Sequence, residues 1–142
     1  SILRLIAEYN PFLLDVEFNT IQKDKKLAMY LKKSKCKLLI SWHDFKKTPN
    51  ETQLESKFNK MRKFSNIIKI VTVAKNVSDA SRLLSLYSIK SKNKTVAFCM
   101  GDQGKFSRIL CLHLGSPFTY VSLGKAIAPG QFSVDEIKSL EN

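Results

Sequence analysis

Five short apolar runs recur along the chain, Phe12 to Phe18, Cys36 to Trp42, Ile67 to Val73, Thr95 to Met100 and Phe118 to Leu123, each rich in residues that favour strands. The stretches between them carry a helical period instead. After Thr48-Pro49-Asn50-Glu51, apolar residues return at Leu54, Phe58, Met61 and Phe64. That spacing predicts one helix stripe, with Thr48 suited to the N-cap and Pro49 to the first helical position. Asn76 is a second N-cap candidate, ahead of Ala80, Leu84 and Tyr87 on one face. Ile2 to Ala7 reads as the end of a helix that begins upstream.

The strand starts at Phe12, Cys36, Ile67, Thr95 and Phe118 lie 24, 31, 28 and 23 residues apart, the rhythm of repeated βα units around parallel strands. The expected class is therefore α/β. At 142 residues the chain is long enough for one core, and residues 1–142 are expected to form a single domain. A closed (β/α)8 barrel of the TIM type needs about 250 residues, so about five βα units leave the barrel open and upstream units are expected to be missing. An exposed parallel edge then argues for a homodimer or for association with a missing N-terminal half.

The excess of 24 Lys and Arg over 12 Asp and Glu gives a formal charge of +12, which suits nucleic acid, an anionic membrane or small acidic substrates. The lysines are dispersed and lack aromatic interleaving, which argues against a platform for bases. No apolar stretch approaches the roughly 18 residues of a membrane span, and no signal peptide is evident, so the cytoplasm is the expected compartment. Cys36, Cys99 and Cys111 show no C-x-x-C spacing and read as core thiols.

Charge inside the strand pattern marks the candidate chemistry. Lys69 interrupts Ile67-Ile68-Lys69-Ile70-Val71-Thr72-Val73, a run expected to be buried on both faces. A lysine there is either the partner of a buried carboxylate or a desolvated amine able to form a Schiff base with a carbonyl. His43 ends the preceding run, at the carboxyl end of a strand where barrel enzymes place proton-transfer groups. Asp44 points the other way and is expected to organise the loop. His113 reads as a surface or packing residue. Asp15 and Glu17 share one strand face and are natural supporting partners for Lys69 or His43, or members of a structural salt bridge. The turn Gly101-Asp102-Gln103-Gly104-Lys105-Phe106-Ser107-Arg108 suits an anion site, with its free N–H groups at a helix start and the fork of Arg108 as ligands. Ala128-Pro129-Gly130-Gln131 is a rigid turn able to form a small lid over the same end.

Taken in order, Ser41-Trp42-His43-Asp44-Phe45-Lys46-Lys47-Thr48-Pro49, Lys69-Ile70, Phe98-Cys99-Met100-Gly101, Ser107-Arg108, Gly115-Ser116-Pro117-Phe118-Thr119 and Ala128-Pro129-Gly130-Gln131 resemble the type I 3-dehydroquinate dehydratases, from about Asp15 to the end. The resemblance implies the C-terminal part of a barrel and a carbon-oxygen lyase of the shikimate pathway. That enzyme removes water from 3-dehydroquinate to give 3-dehydroshikimate, without a metal or diffusible cofactor. Lys69 matches its Schiff-base lysine and His43 its proton-transfer histidine. Arg108 matches the arginine for the substrate carboxylate, Gln131 the glutamine of the closing loop, and Phe98 and Met100 the apolar pocket wall. It also implies departures. Ile127 stands where the family commonly has a small hydroxyl residue. The first strands are expected to be absent, and with them a Glu-x-Arg pair, a further arginine and the glutamate that orients the histidine. Asp15 and Glu17 match a separate Asp-x-Glu.

Two other readings remain open on the sequence: a truncated relative that keeps the fold and anion binding without turnover, and another imine-forming barrel enzyme such as an aldolase.

Overall fold

The computed structural model describes residues 1–140 and turns four of the five apolar runs into strands. Helix α1 (Ile2–Glu8) leads into β1 (Leu14–Glu17), then α2 (Phe18–Lys23), α3 (Lys25–Lys33), β2 (Leu38–Asp44), α4 (Glu51–Met61), β3 (Ile67–Val73), α5 (Val77–Leu84), β4 (Lys94–Met100), α6 (Ser107–His113) and α7 (Val134–Leu140). The strands form one parallel sheet in the order β1-β2-β3-β4. Parallel neighbours that follow one another in sequence need a crossover between each pair, and the intervening helices supply it. No helix among the described residues is long and apolar enough to cross a membrane.

Register divides the sheet into two faces. Leu14, Val16, Ile40, Ile68, Ile70, Ala97 and Cys99 point to the helix layer and pack with Leu27, Leu31, Leu54, Phe58, Met61 and Leu83 in the main core. Deleting a side chain from this layer, as in Phe58→Ala, typically costs about 3–5 kcal/mol. The opposite face carries Asp15, Glu17, Ser41, His43 and Lys69 beside Val71, Val96, Phe98 and Met100. A closed barrel turns such a face inward, so the charged interruptions of the strand pattern collect on one surface.

Two local expectations change. Helix α4 is capped by Asn50, not Thr48: the Asn50 side chain accepts from the Gln53 N–H at 2.9 Å, and Gln53 reaches back to the Asn50 N–H in a capping box. Thr48 is buried and spends its hydroxyl on Thr72 (2.7 Å) and on the Val73 carbonyl (2.9 Å), which pins the loop after β2 onto β3. The Asn76 cap on α5 forms as expected, accepting from Asp79 N–H at 2.9 Å.

The fifth run, Phe118 to Leu123, does not become a strand; it makes one isolated bridge, Ser122 to Ser133. A strand there would have β4 as its only neighbour. Leu123 is 97% exposed, so the burial that drives pairing is missing. The three cysteines are buried free thiols, and burial raises the thiol pKa of Cys99 and Cys111.

Candidate active site

Lys69 is the third of the seven residues of β3 and is 7% exposed. Its ammonium meets Asp15 Oδ2 at 2.6 Å, reached diagonally across the face from β1. The partnered-lysine geometry that the sequence left open is therefore present. Asp15 itself stays open, with its side chain 40% exposed. The pair thus has one buried end and one wet end.

Tyr120 is the residue that sequence reasoning missed. Its hydroxyl lies 3.4 Å from Lys69 Nζ, and the ammonium is 4.7 Å from its ring centroid. Phe98 and Phe118 hold the ring, each at a centroid distance of 5.9 Å. In sequence Tyr120 is one more strand-forming residue of the run Phe118 to Leu123, with nothing that points it at Lys69. Because that run never joins the sheet, the tyrosine folds across it.

His43 lies one register layer beyond Lys69, paired with Val71 where Lys69 pairs with Ser41. That is about 6–7 Å further toward the carboxyl ends of the strands. Nδ1 of His43 is 2.8 Å from Glu17 Oε2, and the ring stacks on Phe45 at 5.6 Å. A carboxylate at Nδ1 favours the tautomer that donates there, which leaves Nε2 as the proton acceptor. Glu17, from the Asp-x-Glu of β1, is thus the carboxylate that faces the histidine among the described residues. Ser41 Oγ donates to the same carboxylate at 3.4 Å. Asp44 turns away as expected and accepts from the N–H groups of Lys46 and Lys47 at 2.9 and 3.1 Å.

Arg108 is 3% exposed and lies over the Phe98 ring at 4.6 Å. Its Nη2 donates to the Pro129 carbonyl at 3.4 Å, while Nε is buried without a partner. Desolvation lowers its pKa; a guanidinium nevertheless stays charged. A buried cation with an unspent N–H is suited to a carboxylate arriving from solution. Part of the backbone of the turn beside it is already engaged. Gly104 and Lys105 N–H groups close a tight turn on Gly101 and Asp102, and Ser107 Oγ accepts from Cys99 N–H at 2.8 Å. A Cβ on Gly104 would lie 2.5 Å from that of Cys99, so this turn is locked against β4.

Phe98 and Met100 are buried on the Lys69 face, as a pocket wall requires. The Ala128–Gln131 turn is clasped to the end of β4 through Gly101 N–H to Pro129 O at 3.1 Å, and Gly130 needs its φ of +72° to approach Gly101. Gln131 is not brought to Lys69: its Oε1 accepts from Ile127 and Ala128 N–H groups at 3.0 and 3.3 Å. Ile127 is 91% exposed, and His113 is exposed on α6.

Residues 1–141 match the family model described as Type I 3-dehydroquinase. The chain is 41% identical over 137 residues to a 3-dehydroquinate dehydratase of Pyrobaculum aerophilum, covering 95% of this chain and 44% of the relative. With the 3-dehydroquinate dehydratase of Methanococcus maripaludis strain C6 it shares 35% identity over 143 residues, covering 99% and 65%. Among solved structures, the 3-dehydroquinate dehydratase of Aquifex aeolicus VF5 superposes with a TM-score of 0.81 at 30% identity, over 99% of this chain and 63% of that one. The type I enzyme of Clostridium difficile, solved with covalently modified comenic acid, gives 0.84 at 26% identity, over 98% and 57%. The chain thus spans 44% and 65% of the length of the two relatives matched by sequence.

Proposed function

Since this chain belongs to the type I 3-dehydroquinase family, we propose that it carries the lysine–histidine face of a 3-dehydroquinate dehydratase, completed where further strands close the barrel around it. The observation that supports this most is the layering of one face. A buried amine at Lys69 lies below an imidazole oriented by Glu17, with the half-paired Arg108 nearby. In the C. difficile relative a covalently modified ligand is recorded, which accords with a nucleophile on this face.

In this reading His43 Nε2 takes the extra proton of the Lys69 ammonium, the freed amine adds to the substrate ketone, and His43 returns the proton to the carbinolamine oxygen. Loss of the carbonyl oxygen as water leaves an iminium. The iminium withdraws electrons from the adjacent C–H bond, so Nε2 of His43 can take that proton while the C–H pair moves toward nitrogen. The resulting enamine returns its electrons to expel the hydroxyl, which leaves as water with the proton that His43 carries. Hydrolysis of the second iminium frees 3-dehydroshikimate and restores Lys69. Glu17 stabilises the imidazolium that exists between the two transfers. Arg108 holds the substrate carboxylate, Phe98 and Met100 wall the ring, and Gln131 closes over it after releasing its own turn. The iminium is itself the electron sink, so the scheme calls on no metal or cofactor. The compartment that fits this chemistry is the cytoplasm. The open edges of the sheet fit a second copy or a separate N-terminal half.

Incubation with 3-dehydroquinate, followed by product absorbance and by mass after borohydride, tests this reading. Product formation supports the dehydratase. Adduct without product points to the non-turnover relative, and carbon-carbon cleavage with 3-dehydroquinate ignored points to an aldolase.

A further inference from the structure

The positive charge that looks dispersed in sequence is gathered in space. Segments 32–37, 62–66 and 90–94 hold nine of the 24 lysines and arginines and none of the 12 carboxylates, which leaves 15 against 12 over the rest of the chain. These segments are the loops, or their flanks, that enter β2, β3 and β4, so they meet at the amino ends of the strands. Asn93 Nδ2 donates to Ser65 O at 2.9 Å and Lys94 N–H to Asn66 O at 2.7 Å, which knits two of them together. Ser65 Oγ donates to Leu38 O at 2.5 Å and ties in the third. No side chain of the three segments enters an ion pair among the described residues.

Between the loops lies a recess of about 610 Å³, with Leu38 and Phe64 in its apolar lining and Lys32, Lys37, Lys92 and Lys94 around it. That volume is in the range of small-molecule sites, about 300–1,000 Å³. Clustered ammonium groups closer than the Debye length, about 8 Å at physiological salt, repel one another. Nothing in the proposed dehydratase chemistry, at the other end of the strands, uses them. Ammonium groups are point charges suited to phosphates arriving at varied angles. The apolar lining adds room for a flat ring. Lys32 Nζ now lies over the Phe64 ring at 5.5 Å, so a ring stacking there would release that ammonium to the phosphates.

We propose that this recess binds a nucleoside polyphosphate, with the base against Phe64 and Leu38 and the phosphate chain among Lys32, Lys37, Lys92 and Lys94. The site is independent of the lyase reading. Calorimetric titration of the chain with ATP, AMP and inorganic tripolyphosphate at fixed salt tests it. ATP is expected to bind at least about tenfold tighter than AMP, through its added phosphates, and about threefold or more tighter than tripolyphosphate, through its base. Lys92→Glu with Lys94→Glu should weaken ATP by more than about tenfold, whereas the same reversal at Lys25 and Lys26 should change it by less than about threefold. Should the paired reversal disturb folding, as read by circular dichroism, Lys92→Gln with Lys94→Gln gives the same ordering at smaller amplitude. Absence of ATP binding, equal binding of tripolyphosphate, or equal weakening by the Lys25 and Lys26 reversal overturns the proposal. So does binding of RNA or anionic vesicles with which ATP does not compete.

Discussion

Replacing Lys69 by methionine separates the two things a lysine on β3 can be. The ammonium is 7% exposed and meets one carboxylate at 2.6 Å. At an effective dielectric of about 20 that contact is worth roughly 6 kcal/mol of gross attraction, and about a quarter of that in full water contact. Asp15 is 40% exposed at its side chain, so the value lies between the two. Removing the ammonium from water costs several kcal/mol, which cancels most of the attraction. Methionine removes both terms, leaves Asp15 solvated and adds a little apolar burial. The expected outcome of Lys69→Met is therefore a gain of about 1 kcal/mol, a rise of about 3–4 °C in melting temperature for a chain of this size, with covalent trapping lost. Differential scanning calorimetry measures it. A loss of about 3 kcal/mol would show that the pair is a structural bridge and would refute the reasoning.

Three further outcomes follow from the same geometry. Glu17→Gln keeps an acceptor near His43 Nδ1 but removes a charge that is partly open to water. Adduct formation should persist, while its conversion to product in a quenched time course slows about five- to tenfold; loss of the adduct itself would contradict the positioning role. Arg108→Lys loses the fork under Phe98 and places an amine where desolvation favours its neutral form. Half-saturation of adduct formation should rise roughly 10- to 100-fold with the final yield intact. Glu136 accepts from Ser133 N–H at 2.7 Å and from Lys105 Nζ at 3.1 Å, which lowers its pKa below the ordinary carboxylate value. Its contribution to stability is thus present above that value and is lost as pH falls through the lowered one. The melting difference between the parent chain and Glu136→Gln should be seen at neutral pH and vanish once pH has fallen through the lowered value.

The strands that the sequence marks best are those buried on both sides. Ile67–Val73 is found where its apolar run predicts despite the interruption at Lys69, because a strand packed between two neighbours leaves no competing choice. Phe118 to Leu123 has similar composition and fails, because composition does not say whether a neighbour exists on the far side. The cap of α4 was misplaced by two residues, since Thr48 and Asn50 are both good caps and only the fold shows Thr48 engaged with Thr72. Period two puts Asp15 and Glu17 on one face, and register sets Glu17 level with Lys69, yet the side chains reach diagonally and pair Asp15 with Lys69 and Glu17 with His43. Tyr120 was illegible for a different reason: its approach to Lys69 depends on a segment leaving the sheet. The gathering of lysines at the base of the sheet was hidden because its three loops are far apart in sequence and adjacent only through β2, β3 and β4.

The most direct measurement for the lysine–histidine face is the site of covalent capture. The chain is mixed with 3-dehydroquinate, reduced with borohydride, digested and sequenced by mass spectrometry. The reduced adduct is expected on the peptide containing Lys69, absent in Lys69→Ala and accumulated in His43→Ala, where the bond forms but proton movement is slow. An adduct on another lysine, or equal loss of capture in both variants, would contradict that assignment.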